Sequence, residues 1–369
     1  MHFLETALEE RRQAGILRQL FIPDGLIDFA SNDYLGFAKK LKTTAEVGRQ
    51  GATGSRLISG NSHEAEALEQ KLAYFHEAES GLLFNSGYDA NVGLLSCLAQ
   101  AGDTYLSDAF IHASMIDGMR LSKATRLPFK HNDLQDLEAK LIALASIENK
   151  AGKVFICIES VYSMDGDVAP LRAIAELASQ YHAYLIVDEA HATGTIGTVG
   201  EGLVQTLGLQ DTVLARIHTF GKAIGAHGAV VLGSQTLRTY LINFARSFIY
   251  STALPLHSLC AISEGYDLLK TSFFQQARTK LYDNIQLYKQ LSASLACLTL
   301  PSDTAIQAVI AGNNDTAKQW QASLQQAGIY AKAIVSPTIP KGTERLRVCL
   351  HSFNTATDIH TLFEVLKAL

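Results

Sequence analysis

Ala183-Tyr-Leu-Ile-Val-Asp188-Glu-Ala-His191 is an apolar run that ends in a carboxylate. It lacks the polar alternation of a half-exposed strand, so it reads as a strand covered on both faces. Runs of the same texture recur at 81–84, 154–158, 213–217 and 229–232. Helical spacing lies between them. Leu171 to Tyr181 follows Pro170, and Ala65, Leu68, Leu72 and Phe75 recur on one face of a segment from Glu64 to Phe75. Asn61, three positions before Glu64, predicts a capping pair there. Strands alternating with helices predict an α/β fold with a mainly parallel sheet covered by helices.

Beyond Pro255 the texture changes. A long helical stretch (256–295), a strand at 305–310, a helix at 317–327, a strand at 346–350 and a closing helix at 359–366 predict a smaller α+β domain. The expected division is therefore an N-terminal helical segment (1–30) packed on the small domain, a large domain (31–255) and a small C-terminal domain (256–369). At 369 residues, one core would be large for a single domain.

The composition narrows the class of function. A formal net charge of −5 with no basic cluster argues against a nucleic-acid partner. Apolar residues at 47% and charged residues at 18% fit a globular chain rather than a disordered one. Cys97, Cys157, Cys260, Cys297 and Cys349 form no CxxC pair, which argues against a metal site and for reduced thiols. The first twenty residues carry charges among apolar residues at helical spacing and do not read as a signal peptide. No apolar run approaches the roughly 20 residues of a membrane span. The expectation is a soluble, cytoplasmic protein.

Three segments carry chemistry. Asp188 ends its strand at the carboxyl edge of the sheet, where open α/β folds bind ligands. His191 can enter the same crevice. Taken alone, Asp188 reads equally as a helix-capping aspartate. In Ile217-His-Thr219-Phe-Gly221-Lys222-Ala-Ile-Gly225-Ala-His227-Gly228, a lysine sits among glycines after another strand. Most lysines are solvated, and the glycine turn is what sets this one apart. In Phe84-Asn-Ser86-Gly87-Tyr88-Asp-Ala-Asn91, a strand meets a helix through small residues. Backbone N–H groups at such a start can hold a phosphate. The segment matches neither the GxGxxG nor the GxxxxGK[ST] pattern, so a dinucleotide or nucleoside triphosphate is not indicated. A phosphate cradle, an imine-forming lysine and a carboxylate for a ring nitrogen are what pyridoxal 5′-phosphate (PLP) requires.

Eight stretches run in the order of a known family: SNDYLGF (31–37), GATGSRLISGN (51–61), NSGYDAN (85–91), ESVYSMDGDVAPL (159–171), VDEAHATGTIG (187–197), HTFGKAIG (218–225), IYST (249–252) and GTERLRVCL (342–350). The chain resembles the α-oxoamine synthases, which are fold-type-I PLP-dependent transferases. The resemblance implies that Lys222 is the Schiff-base lysine and general base, and that Asp188 pairs with the pyridinium nitrogen. His191 would bond the ring's O3′ with Ser163 nearby, and His112 would stack on the ring. It implies a phosphate site made by Ser86, Gly87, Tyr88 and Thr219, with Ser251 and Thr252 reaching it from the neighbouring subunit of a homodimer with shared active sites. For substrate it implies Arg347 on the amino-acid carboxylate, with Thr338, Asn32 and Arg18 close by. Arg345 is read as the solvated arginine of that strand. His227 is read as a packing or surface residue.

The implied reaction is a decarboxylative condensation of an amino acid with an acyl thioester carried by coenzyme A or acyl carrier protein. The motif wording favours the member that joins L-alanine to a pimeloyl thioester in biotin synthesis. Glycine C-acetyltransferase, 5-aminolevulinate synthase and serine palmitoyltransferase share nearly every residue named, and a non-catalytic PLP-binding partner subunit is the reading of another class. The segment between Arg18 and Asn32 is shorter than the family pattern, which predicts an acyl-chain entrance built differently.

Overall fold

The computed structural model describes residues 2–42, 50–146 and 152–369. In chain order the strands are β1 (Ile27–Asp28), β2 (Ser80–Phe84), β3 (Thr104–Asp108), β4 (Thr125–Phe129), β5 (Val154–Glu159), β6 (Tyr184–Asp188), β7 (Val213–Thr219), β8 (Ala229–Gly233), β9 (Ile306–Ile310), β10 (Ile329–Tyr330), β11 (Lys332–Ile334) and β12 (Arg345–Cys349). The chain divides into two compact units: a central one (35–162 and 168–275) and a terminal one (1–34, 163–167 and 276–369).

The central unit holds a seven-stranded sheet in the order β2-β8-β7-β6-β5-β3-β4. The pairs β3–β4, β3–β5, β5–β6 and β6–β7 are parallel. β8 runs antiparallel to both β7 and β2. Alternate residues of single strands enter two different cores. Phe155, Cys157 and Ile186 pack on one face with Leu94 and Met115. Ile156, Ile158, Leu185 and Val187 pack on the other with Ile174 and Leu141. Both faces are apolar because both are covered by helices, which explains the unbroken apolar runs. β3 and β4 escaped the sequence reading. Thr104, Ser107 and Asp108 break the first run, and Arg126 and Pro128 break the second.

The helix Leu256–Leu268 joins the central unit, so the division falls at residue 275 where the change of texture had suggested 255. Local contacts explain this. Lys71 Nζ donates to the Ser263 carbonyl at 2.8 Å, and a Cβ on Gly265 would lie 2.6 Å from Ile224. The expected long helix is two, Leu256–Leu268 and Ser272–Ser292. At the start of helix His63–Phe75 the cap is Ser62, which accepts from the Ala65 N–H at 3.2 Å. Asn61 instead bonds Glu66 and Arg56. His76, just past that helix, is fully buried and bonded to Tyr266 Oη at 2.8 Å and the Glu201 carbonyl at 3.1 Å. Its ring lies 3.9 Å from that of His218, centroid to centroid.

In the terminal unit β11 and β9 flank β12 in an antiparallel sheet. The N-terminal segment is tied in by β1, which pairs in parallel with β10. Helix His2–Gln13 forms, yet it buries none of its own residues. No helix among the described residues is long and apolar enough to cross a membrane.

Candidate active site

The carboxyl edge of the large sheet collects polar groups at successive strand ends: Glu159 on β5, Asp188 on β6 and Thr219 on β7. Glu159 and Asp188 are direct register partners. Asp188 is nearly fully buried. Its Oδ1 accepts from the Ala190 N–H at 2.9 Å, and its Oδ2 accepts from Asn91 Nδ2 at 2.8 Å. The aspartate therefore does bond backbone just after the strand, and it also receives a side-chain donor that aims its second oxygen.

Lys222 lies in the tight connection from β7 to β8. The turn is closed by Gly225 N–H to the Lys222 carbonyl (2.9 Å) and Phe220 N–H to the Gly228 carbonyl (2.9 Å). Gly225 has φ +69°, and a Cβ there would lie 2.3 Å from the Ala38 nitrogen, so only glycine fits. The turn puts Lys222 Nζ 3.0 Å from His191 Nε2. An ammonium can only donate, so the imidazole nitrogen accepts when the lysine is charged.

Helix Gly87–Leu98 begins beside the end of β7. Ser86 caps it, accepting from the Asp89 N–H at 3.1 Å and donating to Asp89 Oδ2 at 2.8 Å, so its hydroxyl is committed to the helix. The N–H groups of the first helical turn have no acceptor within the helix. A Cβ on Gly87 would lie 2.5 Å from Thr219 Cγ2. The buried Thr219 hydroxyl has no hydrogen-bond partner in the described structure. A buried unpaired hydroxyl costs about 1–3 kcal/mol, which a phosphate oxygen would relieve. Glycine cradle, free N–H groups and unpaired hydroxyl fit the phosphate of PLP. Asp188 and Lys222 fit its ring nitrogen and its aldehyde.

His112 is the N-cap of helix Ala113–Leu121, with Nδ1 accepting from the Ser114 N–H at 3.2 Å. Desolvation lowers its pKa, Asp188 opposes this and Lys222 reinforces it, so His112 stands within electrostatic reach of both. Burial and the nearby Asp188 charge raise Glu159 well above the usual carboxylic range, and the His112 backbone N–H bonds its carboxyl.

The residues expected to bind substrate fall in the terminal unit. Arg347 is buried, with Nε donating to the Ser163 carbonyl at 2.6 Å and Nη2 donating to Asn32 Oδ1 at 3.0 Å. Asn32, Ser163 and Arg347 therefore form one cluster. Thr338 and Arg18 are exposed on irregular segments. Arg345 is not solvated: it is buried and ion-paired with Asp165. Residues two apart on a strand share a face, so β12 buries both arginines together. In the central unit Tyr88 is half exposed and donates to Asp117 Oδ2 at 2.8 Å. Ser251 is partly buried and Thr252 exposed, with the Thr252 carbonyl accepting from Asn85 Nδ2 at 2.9 Å. His227 is exposed.

Asn91 and Glu159 were missed as site residues, although both stand in motifs quoted for other reasons. Asn91 is four positions after Gly87 and so shares its helix face, which was a usable signal. Glu159 is the last residue of a strand adjacent to that of Asp188, and strand order cannot be read from one sequence.

A lysine–histidine pair, a buried aspartate and a helix start beside an unpaired hydroxyl meet at the carboxyl ends of a mainly parallel sheet, an arrangement that fits PLP. Residues 24–366 match the aminotransferase class I and II family. The 8-amino-7-oxononanoate synthase of Emericella nidulans is 41% identical over 98% of this chain and 94% of its own length. Bacillus subtilis 8-amino-7-oxononanoate synthase 2 is 37% identical over 100% of this chain and 97% of its own. Among solved structures, Sphingomonas wittichii serine palmitoyltransferase superposes with a TM-score of 0.88 at 26% identity, covering 98% of this chain and 95% of that one. The 8-amino-7-oxononanoate synthase of Francisella tularensis gives 0.79 at 30% identity, covering 94% and 98%. The chain belongs to the aminotransferase class I and II family and, within it, to the α-oxoamine synthases. It is a PLP-dependent acyltransferase.

Proposed function

We propose that the protein condenses L-alanine with a pimeloyl thioester, releasing carbon dioxide and free thiol and giving 8-amino-7-oxononanoate for biotin synthesis. The observation that carries this reading is the 3.0 Å contact of Lys222 Nζ with His191 Nε2 at the same sheet edge as Asp188. The full-length likeness to 8-amino-7-oxononanoate synthases supports the choice of substrates.

When bound, PLP supplies an electron sink for the carbanion formed at the amino acid's α-carbon and again on loss of carbon dioxide. Asp188, fixed by Asn91 and Ala190, would keep the ring nitrogen protonated. Thr219 and the first N–H groups of helix Gly87–Leu98 would hold the phosphate. Lys222 Nζ would take the α-proton of the amino acid as general base, and in the PLP-free protein it lies within hydrogen-bond distance of His191 Nε2. The Arg347 guanidinium, oriented by Ser163 and Asn32, binds the amino-acid carboxylate, for which a planar fork is better suited than an ammonium. We further propose a cytoplasmic homodimer in which Ser251 and Thr252 of one protomer reach the phosphate held by the other. The absence of disulfides fits that compartment, since all five cysteines are free.

The test is a matrix of amino acids (L-alanine, glycine, L-serine) against thioesters (pimeloyl and acetyl on coenzyme A, pimeloyl on acyl carrier protein), followed by product mass. L-Alanine with a pimeloyl thioester should give the highest kcat/KM. Preference for glycine with acetyl-coenzyme A, or for L-serine with a long acyl chain, would replace this reading by a sister activity. The L-serine outcome is the second reading, favoured by the TM-score of 0.88 with a serine palmitoyltransferase.

A further inference from the structure

The central unit contains a chain of side-chain hydrogen bonds that the proposed reaction has not used. It runs from Asp188 through Asn91 and Ser114 to His112. Asn91 Nδ2 lies 2.8 Å from Asp188 Oδ2 and 3.0 Å from Ser114 Oγ. Ser114 Oγ lies 2.7 Å from His112 Nδ1. Asn91 and Ser114 are almost wholly enclosed.

Every proton in the chain can be placed by elimination. A carboxylate oxygen only accepts, so the amide nitrogen of Asn91 must face Asp188, and that nitrogen has two protons to give. One goes to Asp188 and the other to Ser114 Oγ. Ser114 Oγ accepts from Asn91 through one of its two lone pairs, and its single proton goes to His112 Nδ1 because that nitrogen already accepts from a donor that can only donate. The backbone N–H of Ser114 points at the same nitrogen from 3.2 Å. Nδ1 therefore faces two donors and cannot carry a proton of its own.

We propose that Asn91 and Ser114 are positioning residues that tie the Asp188 carboxylate to the His112 ring and hold that ring neutral, with its proton on Nε2. His112 then presents a donor and no free acceptor, which leaves proton abstraction to Lys222 alone. The role deepens the reaction proposed above and rests on that reading. Its geometry, however, belongs to the protein without substrate.

Two further observations support the relay. Asn91 Oδ1 is buried without a hydrogen-bond partner in the described structure, a cost that a position serving only to pack would not need to carry. The two helices that bring Asn91 and Ser114 together approach so closely that a Cβ on Gly118 would lie 2.8 Å from the Asn91 carbonyl oxygen. The charged and titratable groups acting on His112 are Asp188 and Lys222 from the sheet edge and Asp117 from its own helix, with Glu159 accepting its backbone N–H.

The experiment is nitrogen-15 NMR of histidine-labelled, PLP-free protein, with His112 assigned by its loss in His112→Asn. In the wild type, His112 Nδ1 should give the unprotonated signal and Nε2 the protonated one at pH about 7.5. Ser114→Ala removes a bond to the neutral ring, so the His112 titration midpoint should rise by about one pH unit. Asn91→Ala frees the Ser114 hydroxyl to turn away and should raise the midpoint in the same direction, although Asn91 does not touch the ring. Ser114→Thr, which keeps the hydroxyl, should restore the wild-type midpoint. A protonated Nδ1 in the wild-type spectrum would overturn the proposal even if no variant folds. Midpoints unmoved by both alanine variants would overturn it as well. A substrate screen that favours a sister activity would change the reaction assignment and leave these spectra untouched.

Discussion

Gly87→Ala tests whether the helix start beside β7 is a phosphate cradle. The added Cβ would lie 2.5 Å from Thr219 Cγ2, closer than real Cβ contacts come, and 3.6 Å from Thr219 Cβ, an ordinary contact. The threonine must therefore rotate, and rotation carries away the hydroxyl assigned to the phosphate. A hydrogen bond to a charged group is worth about 1.5–3 kcal/mol. At about 1.4 kcal/mol per tenfold, PLP should bind roughly 10- to 150-fold more weakly. Alanine is favoured over glycine inside a helix by at most about 1 kcal/mol, so the melting temperature of the PLP-free protein should move by less than about 4 °C. The assay is absorbance titration with PLP and, in parallel, with pyridoxal, which has no phosphate and should bind the variant and the wild type equally. The double variant Gly87→Ala/Thr219→Ser removes the clashing methyl, keeps a hydroxyl and should recover most of the affinity. Wild-type PLP affinity in Gly87→Ala, or no recovery in the double variant, would refute the argument.

Lys222→Ala should lose turnover by at least a thousandfold while keeping its circular dichroism and melting temperature, and borohydride should no longer fix PLP to the chain (~10³, from the loss of both base and nucleophile). Arg347→Ala should weaken L-alanine binding tenfold or more (about 1.5–3 kcal/mol for a charged hydrogen bond) and PLP binding much less; equal losses would make the arginine a purely structural element of its cluster with Ser163 and Asn32. His76 is buried and its pKa is lowered to about 3, first by desolvation and then by the nearby Arg216 charge. Its folded pKa lies below the unfolded value of about 6.5, so its contribution to stability is present above that pH and is lost as pH falls toward 3. Urea unfolding should show stability falling by about 1.4 kcal/mol per pH unit from this group, and His76→Gln should have a shallower acid limb. Parallel limbs in the two proteins would show that His76 is not the group that titrates.

Much of this architecture is legible in one dimension. Strands covered on both faces announce themselves as unbroken apolar runs, and β2, β5, β6, β7 and β8 all stand where such runs occur. One of those runs ends at Asp188, so that carboxylate could be placed at the sheet edge from spacing alone, whereas Thr219 was singled out only by the family resemblance. β3 and β4 stayed hidden because Ser107, Asp108, Arg126 and Pro128 interrupt the apolar pattern. The cap at Ser62 was missed by one residue because Asn61 is an equally good capping type, and only its bonds to Arg56 and Glu66 remove it from that role.

By itself, then, the sequence determined the class of fold, the lysine turn with its Gly225, the strand-end carboxylate and the family in which they occur together. Local physics suffices for these, because turn glycines, strand periodicity and helix starts depend on neighbours a few residues away. The tertiary structure alone decided which distant groups meet. It brought Asn91 to Asp188 across 97 positions, Arg347 to Asn32 across 315, and Arg345 into burial beside Asp165. It also left Thr219 with an unpaired hydroxyl and set its methyl against Gly87. Strand order and helix crossing set those distances, and both follow from how two apolar faces are covered, a property of the whole chain that no local window contains.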